Sequence, residues 1–255
     1  MSILHLRDVS KHFGGLQALS HFDLSVPQGA IFGLIGPNGS GKTTLFNVIT
    51  GFMRPSAGQI HFNEAPIHTQ PAWRIAQLGL VRTFQKTSVF ADLSALENIR
   101  VGCFARTRGT PLQSILRLPG ERRERRAADD KARRILALLG MAAAESIQAR
   151  NLPYGHQRHL EIAIALAAEP RLLLLDEPAA GLNAEETSVL MQTVQRIRDQ
   201  GITVLVVEHD MKLVMGICER IAVINYGQKI AEGPPEEVSR NPDVINVYLG
   251  EDLEL

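Results

Sequence analysis

The stretch Ala30-Ile-Phe-Gly-Leu-Ile-Gly-Pro-Asn-Gly-Ser-Gly-Lys-Thr-Thr44 decides the fold. Residues 30–35 form a compact apolar run with the length of a buried strand. Residues 36–43 then fit GxxxxGK[ST], and residues 41–50 read as a helix. Strand, glycine-rich turn and helix in that order are the context that identifies a P-loop. Glycines let backbone amides converge on phosphate oxygens, and the helix N-terminus adds positive potential. Gly36, Pro37, Asn38, Gly39, Ser40, Gly41, Lys42, Thr43 and Thr44 are therefore expected to cradle phosphates. Lys42 can reach the β- and γ-phosphates, and the Thr43 hydroxyl can ligate Mg²⁺. A chance glycine-rich turn is the alternative, and the matching strand, spacing, Lys and Thr together count against it.

Farther along, four leucines (172–175) lead into Asp176 and Glu177. A parallel strand buried on both faces is apolar throughout, so acids at its C-terminal tip point into the ligand crevice. Asp176 then suits the magnesium shell, and Glu177 can polarise an attacking water. An acid pair at a helix start before Pro178 is the other reading.

Around these motifs the pattern alternates. Strands are expected at 3–6, 21–26, 58–62, 80–84, 172–175, 202–207 and 220–225. Helices are expected at 41–50, 72–78, 184–199 and 210–217. Such alternation argues an α/β core with a mostly parallel sheet. The middle, from about 94 to 168, is rich in Ala, Leu, Glu and Arg and reads as a helical insertion. Residues 127–140 have helical spacing and a glycine stop, whereas 107–120, with Pro111, Pro119 and two glycines, reads as a loop with at most a short helix.

The chain has 255 residues, 45% hydrophobic and 21% charged, which excludes disordered, collagen-like and disulfide-scaffold classes. Lys plus Arg is 27 and Asp plus Glu is 27, so no net charge draws it to nucleic acid or anionic membrane. The neutral total conceals two blocks. Residues 100–134 hold eleven Lys/Arg against four Asp/Glu, a net of +7; residues 231–255 hold one Arg against seven acids, a net of −6. No apolar run approaches the roughly 20 residues of a membrane-spanning helix. The N-terminus lacks a signal-peptide core. Two distant cysteines, Cys103 and Cys218, suggest a reducing compartment.

With the P-loop, the Asp176-Glu177 pair, the spacing of 134 positions from Lys42 to Asp176, and a glycine motif before a helix near Gln157, the chain resembles the ATP-binding subunits of ABC transporters along nearly its whole length. The resemblance implies a P-loop NTPase core of ABC type with an antiparallel β subdomain and an inserted helical subdomain. The core is expected at 1–86 and 170–255, with a C-terminal extension, and the helical subdomain at 87–169. It implies ATP and Mg²⁺ as cofactors. It places Phe13 on the adenine, a core phenylalanine being the alternative. It places Gln85 beside Mg²⁺ and water, and His209 as the switch histidine at the γ-phosphate. Lys42, Gln85, Glu177 and His209 are thus the expected catalytic group, and Thr43, Gln85 and Asp176 the metal group. Residues 180–183 match the loop that crosses the dimer interface, with Asn183 where an aspartate is usual.

The signature loop departs from the family. Leu152, Pro153, Tyr154, Gly155 and His156 stand where LSGGQ is usual. In the family this loop docks in trans on the nucleotide of the opposite subunit. Pro153 brings neither hydroxyl nor N–H, while Gly155 and the following helix start can still face a phosphate. This chain's own P-loop site is therefore expected to hydrolyse ATP if the partner supplies a good signature, and the site completed by its Pro153 loop to be weaker, a loop that never binds nucleotide being the alternative.

The residues 179–183, Glu208 to Gly216 and the ending 241–250 are similar to one subunit of branched-chain amino acid importers. That implies a second ATPase subunit, two transmembrane permease subunits and, indirectly, a periplasmic solute-binding protein. It places the chain peripherally at the cytoplasmic face of the inner membrane. Heterodimer is favoured over homodimer. The tail 248–252 is also similar to the ATPase of lipopolysaccharide export, whose signature keeps the serine. Soluble ABC ATPases of repair or translation type normally carry two ATPase halves or long coiled-coil inserts. A regulatory module with a dead site fits poorly with intact Lys42, Asp176, Glu177 and His209. The basic block reads as a solvated helical face, as a contact for lipid or permease, or as a nucleic-acid surface. Without interleaved aromatics, nucleic acid is not expected as a partner.

Overall fold

The computed structural model describes residues 1–83, 89–103 and 119–251. The chain divides into two compact units, Met1–Arg82 with Arg171–Leu255, and Thr83–Pro170.

The first unit carries two sheets. An antiparallel sheet is formed by β1 (Ser2–Phe13), β2 (Leu16–Pro27), β4 (Ala57–Phe62) and β5 (Ala65–Pro66), in the order β2-β1-β4-β5. The first two strands are far longer than the short alternating segments of the sequence. The reason lies in their register, which shifts between Leu6 and Val9 and again between Val9 and Lys11. Each bulge resets which face a side chain takes, so the period-two pattern breaks although pairing continues. Gly58 sits against the first bulge: a Cβ there would lie 2.2 Å from the Asp8 carbonyl oxygen.

The second sheet is made of β3 (Ile31–Ile35), β6 (Leu80–Arg82), β7 (Leu172–Asp176), β8 (Thr203–Val207), β9 (Arg220–Asn225) and β10 (Gln228–Gly233). Its order is β10-β9-β3-β8-β7-β6, parallel except for the antiparallel edge pair β9 and β10. Strands β3, β7 and β8 are buried at every residue, which explains their unbroken apolar runs. The edge strand β10, sequence QKIAEG, is mostly polar and carries no strand signal of its own. It forms because the turn at Tyr226-Gly227 returns the chain onto β9. Strand β6 ends at Arg82 rather than at 84, and Phe84 lies outside the described residues.

Because β3, β8, β7 and β6 are neighbours and parallel, their C-terminal tips share one edge. The P-loop, the Glu177 loop and the His209 loop all leave the sheet there. Helices Lys42–Ile49, Ala72–Leu78, Ala184–Asp199 and Met211–Ile217 follow β3, β5, β7 and β8 in sequence. Asn183 caps the third: its Oδ1 accepts from the Glu185 and Glu186 amides, and the Asn183 amide donates to Glu186 Oε2 at 3.0 Å.

The second unit packs helices Ala95–Cys103, Pro119–Leu138 and Tyr154–Ala167. The helix read at 127–140 begins earlier, at Pro119; of the loop read at 107–120, residues 107–118 lie outside the described residues. Gly102 allows the first helix to approach the third, since a Cβ would lie 2.3 Å from the Ile164 carbonyl oxygen. Lys131 donates to the Ala167 carbonyl at 2.7 Å, closing the C-terminal end of the third helix. Among the described residues no helix is long and apolar enough to cross a membrane.

Candidate nucleotide site

The P-loop is held against β9 and β2 so tightly that Gly36 and Gly41 leave no room for a side chain. A Cβ on Gly36 would lie 2.1 Å from the Ile224 carbonyl oxygen. Gly41, at φ +111°, starts the helix Lys42–Ile49, and no side chain caps that helix. Its first-turn amides therefore remain for an external acceptor. Gly227 N–H donates to the Ser40 carbonyl at 2.8 Å and pins the loop from outside. Lys42 is buried and donates to the carbonyls of Gly36 and Pro37 at 2.6 and 2.7 Å. Ser40 Oγ is buried without a hydrogen-bond partner. Converging amides, a buried ammonium and an orphaned hydroxyl make a donor set that fits a polyphosphate. Thr43 is exposed and Thr44 half-buried in the first turn, while Asn38 and Gly39 lie exposed at the loop's crest.

Asp176 closes β7 and is buried. Its Oδ2 accepts a charge-assisted bond from Arg82 at 2.6 Å, and Arg82 also donates to Asn47 Oδ1 at 2.6 Å. The guanidinium lies 5.4 Å from the Phe46 ring centre. Strands β6 and β7 and the P-loop helix thus meet at one arginine, which no motif in the sequence marks. Glu177 follows at φ +46°, a left-handed conformation that costs strain in a residue bearing a Cβ. Its N–H donates to the Val207 carbonyl at 2.9 Å, so the strain is anchored to β8. His209 lies just past β8 with its side chain 65% exposed. Between Val207 and His209, Glu208 is fully buried, and burial pushes its carboxyl above the usual carboxylate range.

Phe13 ends β1 and is 43% exposed, so it is no core residue. Lys11 Nζ lies 5.1 Å from its ring centre. Gln85 lies outside the described residues. The strand ends thus gather the P-loop, Asp176, Glu177 and His209 on one edge.

In the second unit, Pro153 occupies the N-cap of helix Tyr154–Ala167, and its carbonyl accepts from Gln157 N–H at 3.0 Å. No side chain caps this helix either. Gly155 is buried, whereas Pro153, Tyr154 and His156 are exposed. Gln157 Nε2 donates to the Leu152 carbonyl at 2.9 Å. Arg158 lies 5.2 Å from the Tyr154 ring centre and pairs with Glu161 at 3.1 Å.

Comparison with known proteins agrees with this architecture. Residues 19–180 match the family model described as ABC transporter, and residues 228–254 match the one described as branched-chain amino acid ATP-binding cassette transporter. The chain is 43% identical to the high-affinity branched-chain amino acid transport ATP-binding protein LivG of Salmonella typhimurium, over 98% of both chains. It is 42% identical to the corresponding BraF protein of Pseudomonas aeruginosa, again over 98% of both. A solved ATP-binding cassette of an ABC transporter in its ADP conformation superposes with a TM-score of 0.86 at 32% identity, covering 98% of this chain and 99% of the other.

Proposed function

The chain belongs to the ATP-binding subunits of ABC transporters, and from that premise we propose that it hydrolyses ATP to power uptake of branched-chain amino acids or a related small polar solute. The observation that supports this best is the common edge of β3, β7 and β8, where the P-loop, the Glu177 loop and the His209 loop all leave the sheet. Gly36 to Thr44 hold the phosphates, with Lys42 on the β- and γ-groups. Phe13 stacks on adenine. Thr43, Asp176 and Gln85 would hold Mg²⁺, Asp176 through water. When bound, Mg²⁺ neutralises charge on the phosphates. Glu177 orients the attacking water and accepts its proton, and His209 donates toward the terminal phosphate.

The helical subdomain, taken as 87–169, supplies Leu152, Pro153, Tyr154, Gly155 and His156 to the nucleotide of a second ATPase subunit, most simply a different chain. Two permease subunits carry the pore, and a periplasmic binding protein delivers the solute. The chain sits peripherally at the cytoplasmic face of the inner membrane. In the assembled transporter, Glu177→Gln is expected to cut hydrolysis by about 100-fold or more while nucleotide binding persists. Hydrolysis within about tenfold of wild type would overturn the assignment of Glu177. Uptake of labelled leucine into proteoliposomes tests the solute class, and ATP-dependent transport of none of the branched-chain amino acids would exclude it.

A further inference from the structure

Glu208 follows an apolar strand and is lost from solvent entirely, one residue before an exposed histidine. A carboxylate in such a place is costly unless donors meet its oxygens. The donors here are backbone amides, and they come from two different loops. Ala179 N–H donates to Oε1 at 2.6 Å. His209 and Asp210 N–H donate to Oε2 at 3.1 and 3.4 Å. Ala179 is itself buried and lies two residues beyond Glu177, in the loop that leaves β7. That loop is tightly wound, with Ala180 N–H on the Glu177 carbonyl at 3.1 Å and Leu182 N–H on the Ala179 carbonyl at 3.0 Å. A bond from Glu177 N–H to the Val207 carbonyl runs across the same gap one residue earlier. One oxygen of Glu208 therefore belongs to the Glu177 loop and the other to the His209 loop.

We infer that Glu208 is a positioning residue for hydrolysis, a buried clip that sets the spacing between the loop of Glu177 and the loop of His209 so that both are presented together. It touches no nucleotide and acts through the two loops. The inference rests on the reading of Glu177 and His209 as the hydrolytic pair. Within it, the residue separates binding from turnover: the P-loop does not depend on the clip, whereas the relative placement of acid and histidine does. Misplacement of a catalytic group by about an ångström is enough to cost up to about 100-fold in rate.

Glu208→Ala removes the acceptor for all three amides. Glu208→Gln keeps Oε1 for Ala179 and turns a donor toward the other two. In the assembled transporter, Glu208→Ala is expected to lower kcat at least about tenfold with KM for MgATP within about twofold, and Glu208→Gln to fall between it and wild type. By hydrogen exchange, the amides of Ala179, His209 and Asp210 should lose protection together in Glu208→Ala while the β7 and β8 amides keep theirs. If the alanine variant does not fold, the glutamine variant carries both readouts. A kcat within about twofold of wild type in Glu208→Ala, or kcat and KM degraded alongside general loss of protection in both variants, would overturn the inference. So would unchanged exchange at Ala179. Near-wild-type hydrolysis by Glu177→Gln would instead overturn the underlying assignment, and the exchange readout would still report on the clip.

Discussion

Arg82 holds the acid end of the site by charge rather than by packing alone. Its guanidinium is 7% exposed, and so nearly is the Asp176 carboxylate it meets, at 6%. Removing one partner of a buried pair costs about 3–5 kcal/mol, because the other charge stays behind without its counter-ion. Arg82→Met is thus expected to lower stability by about 3 kcal/mol in urea denaturation. Lysine cannot span both Asp176 and Asn47 in the arginine's fork, so Arg82→Lys recovers only part of the loss. Adding Asp176→Asn to Arg82→Met removes the stranded charge and should restore most of it. A single-variant loss below about 1 kcal/mol would show that the pair contributes little. Residues of this kind explain which parts of the site the sequence discloses. Gly36 to Thr43 announce themselves by spacing, since phosphate cradling demands a local pattern. Arg82 and Glu208 act on partners 94 and 29 residues away. The one local sign of either is a charged residue closing an apolar strand.

Elements were legible where one physical rule governs them. The strands β3, β7, β8 and β9 and the helix Ala184–Asp199 follow from runs and periodicities that their burial requires. The β1–β2 hairpin is longer than its sequence pattern suggests because its bulges hide the alternation. The helix Tyr154–Ala167 shows how an unusual residue can be neutral for an element and consequential for its task. Pro153 is well suited to the N-cap, at φ −53° and ψ 152°, since that position needs no N–H inside the helix. What it lacks is a hydroxyl to offer a phosphate, and a hydrogen bond to a charged group contributes about 1.5–3 kcal/mol. Pro153→Ser should therefore leave the helix intact, with serine a favourable cap, and leave transporter ATPase activity equal or faster. Activity reduced severalfold in a folded variant would contradict the weaker-site reading.

At the scale of the molecule, two units carry one cysteine each, and these report on them separately. Cys218 is buried in the first unit beneath β3, where a Cβ on Gly33 would lie 3.1 Å from its sulfur. Burial pushes its thiol up to about 12, with Glu219 adding to the shift. Cys103 ends a helix of the second unit and is partly exposed; burial raises its thiol as well, and Lys131 pulls it back. Only the thiolate reacts with alkylating agents, so at pH 8 the native reactivity of Cys218 is suppressed by about three orders of magnitude on ionisation alone. Its sulfur must also be uncovered, which requires opening of the parallel sheet against its helices. Alkylation of Cys218 should thus track unfolding of the first unit, whereas Cys103 reacts under native conditions. Mass spectrometry of each cysteine through a urea series measures both. Modification of Cys218 as fast as Cys103 without denaturant would mean that the sheet around the nucleotide site opens locally. In that case the P-loop, anchored on the same β3, could not be the rigid platform that phosphate binding requires.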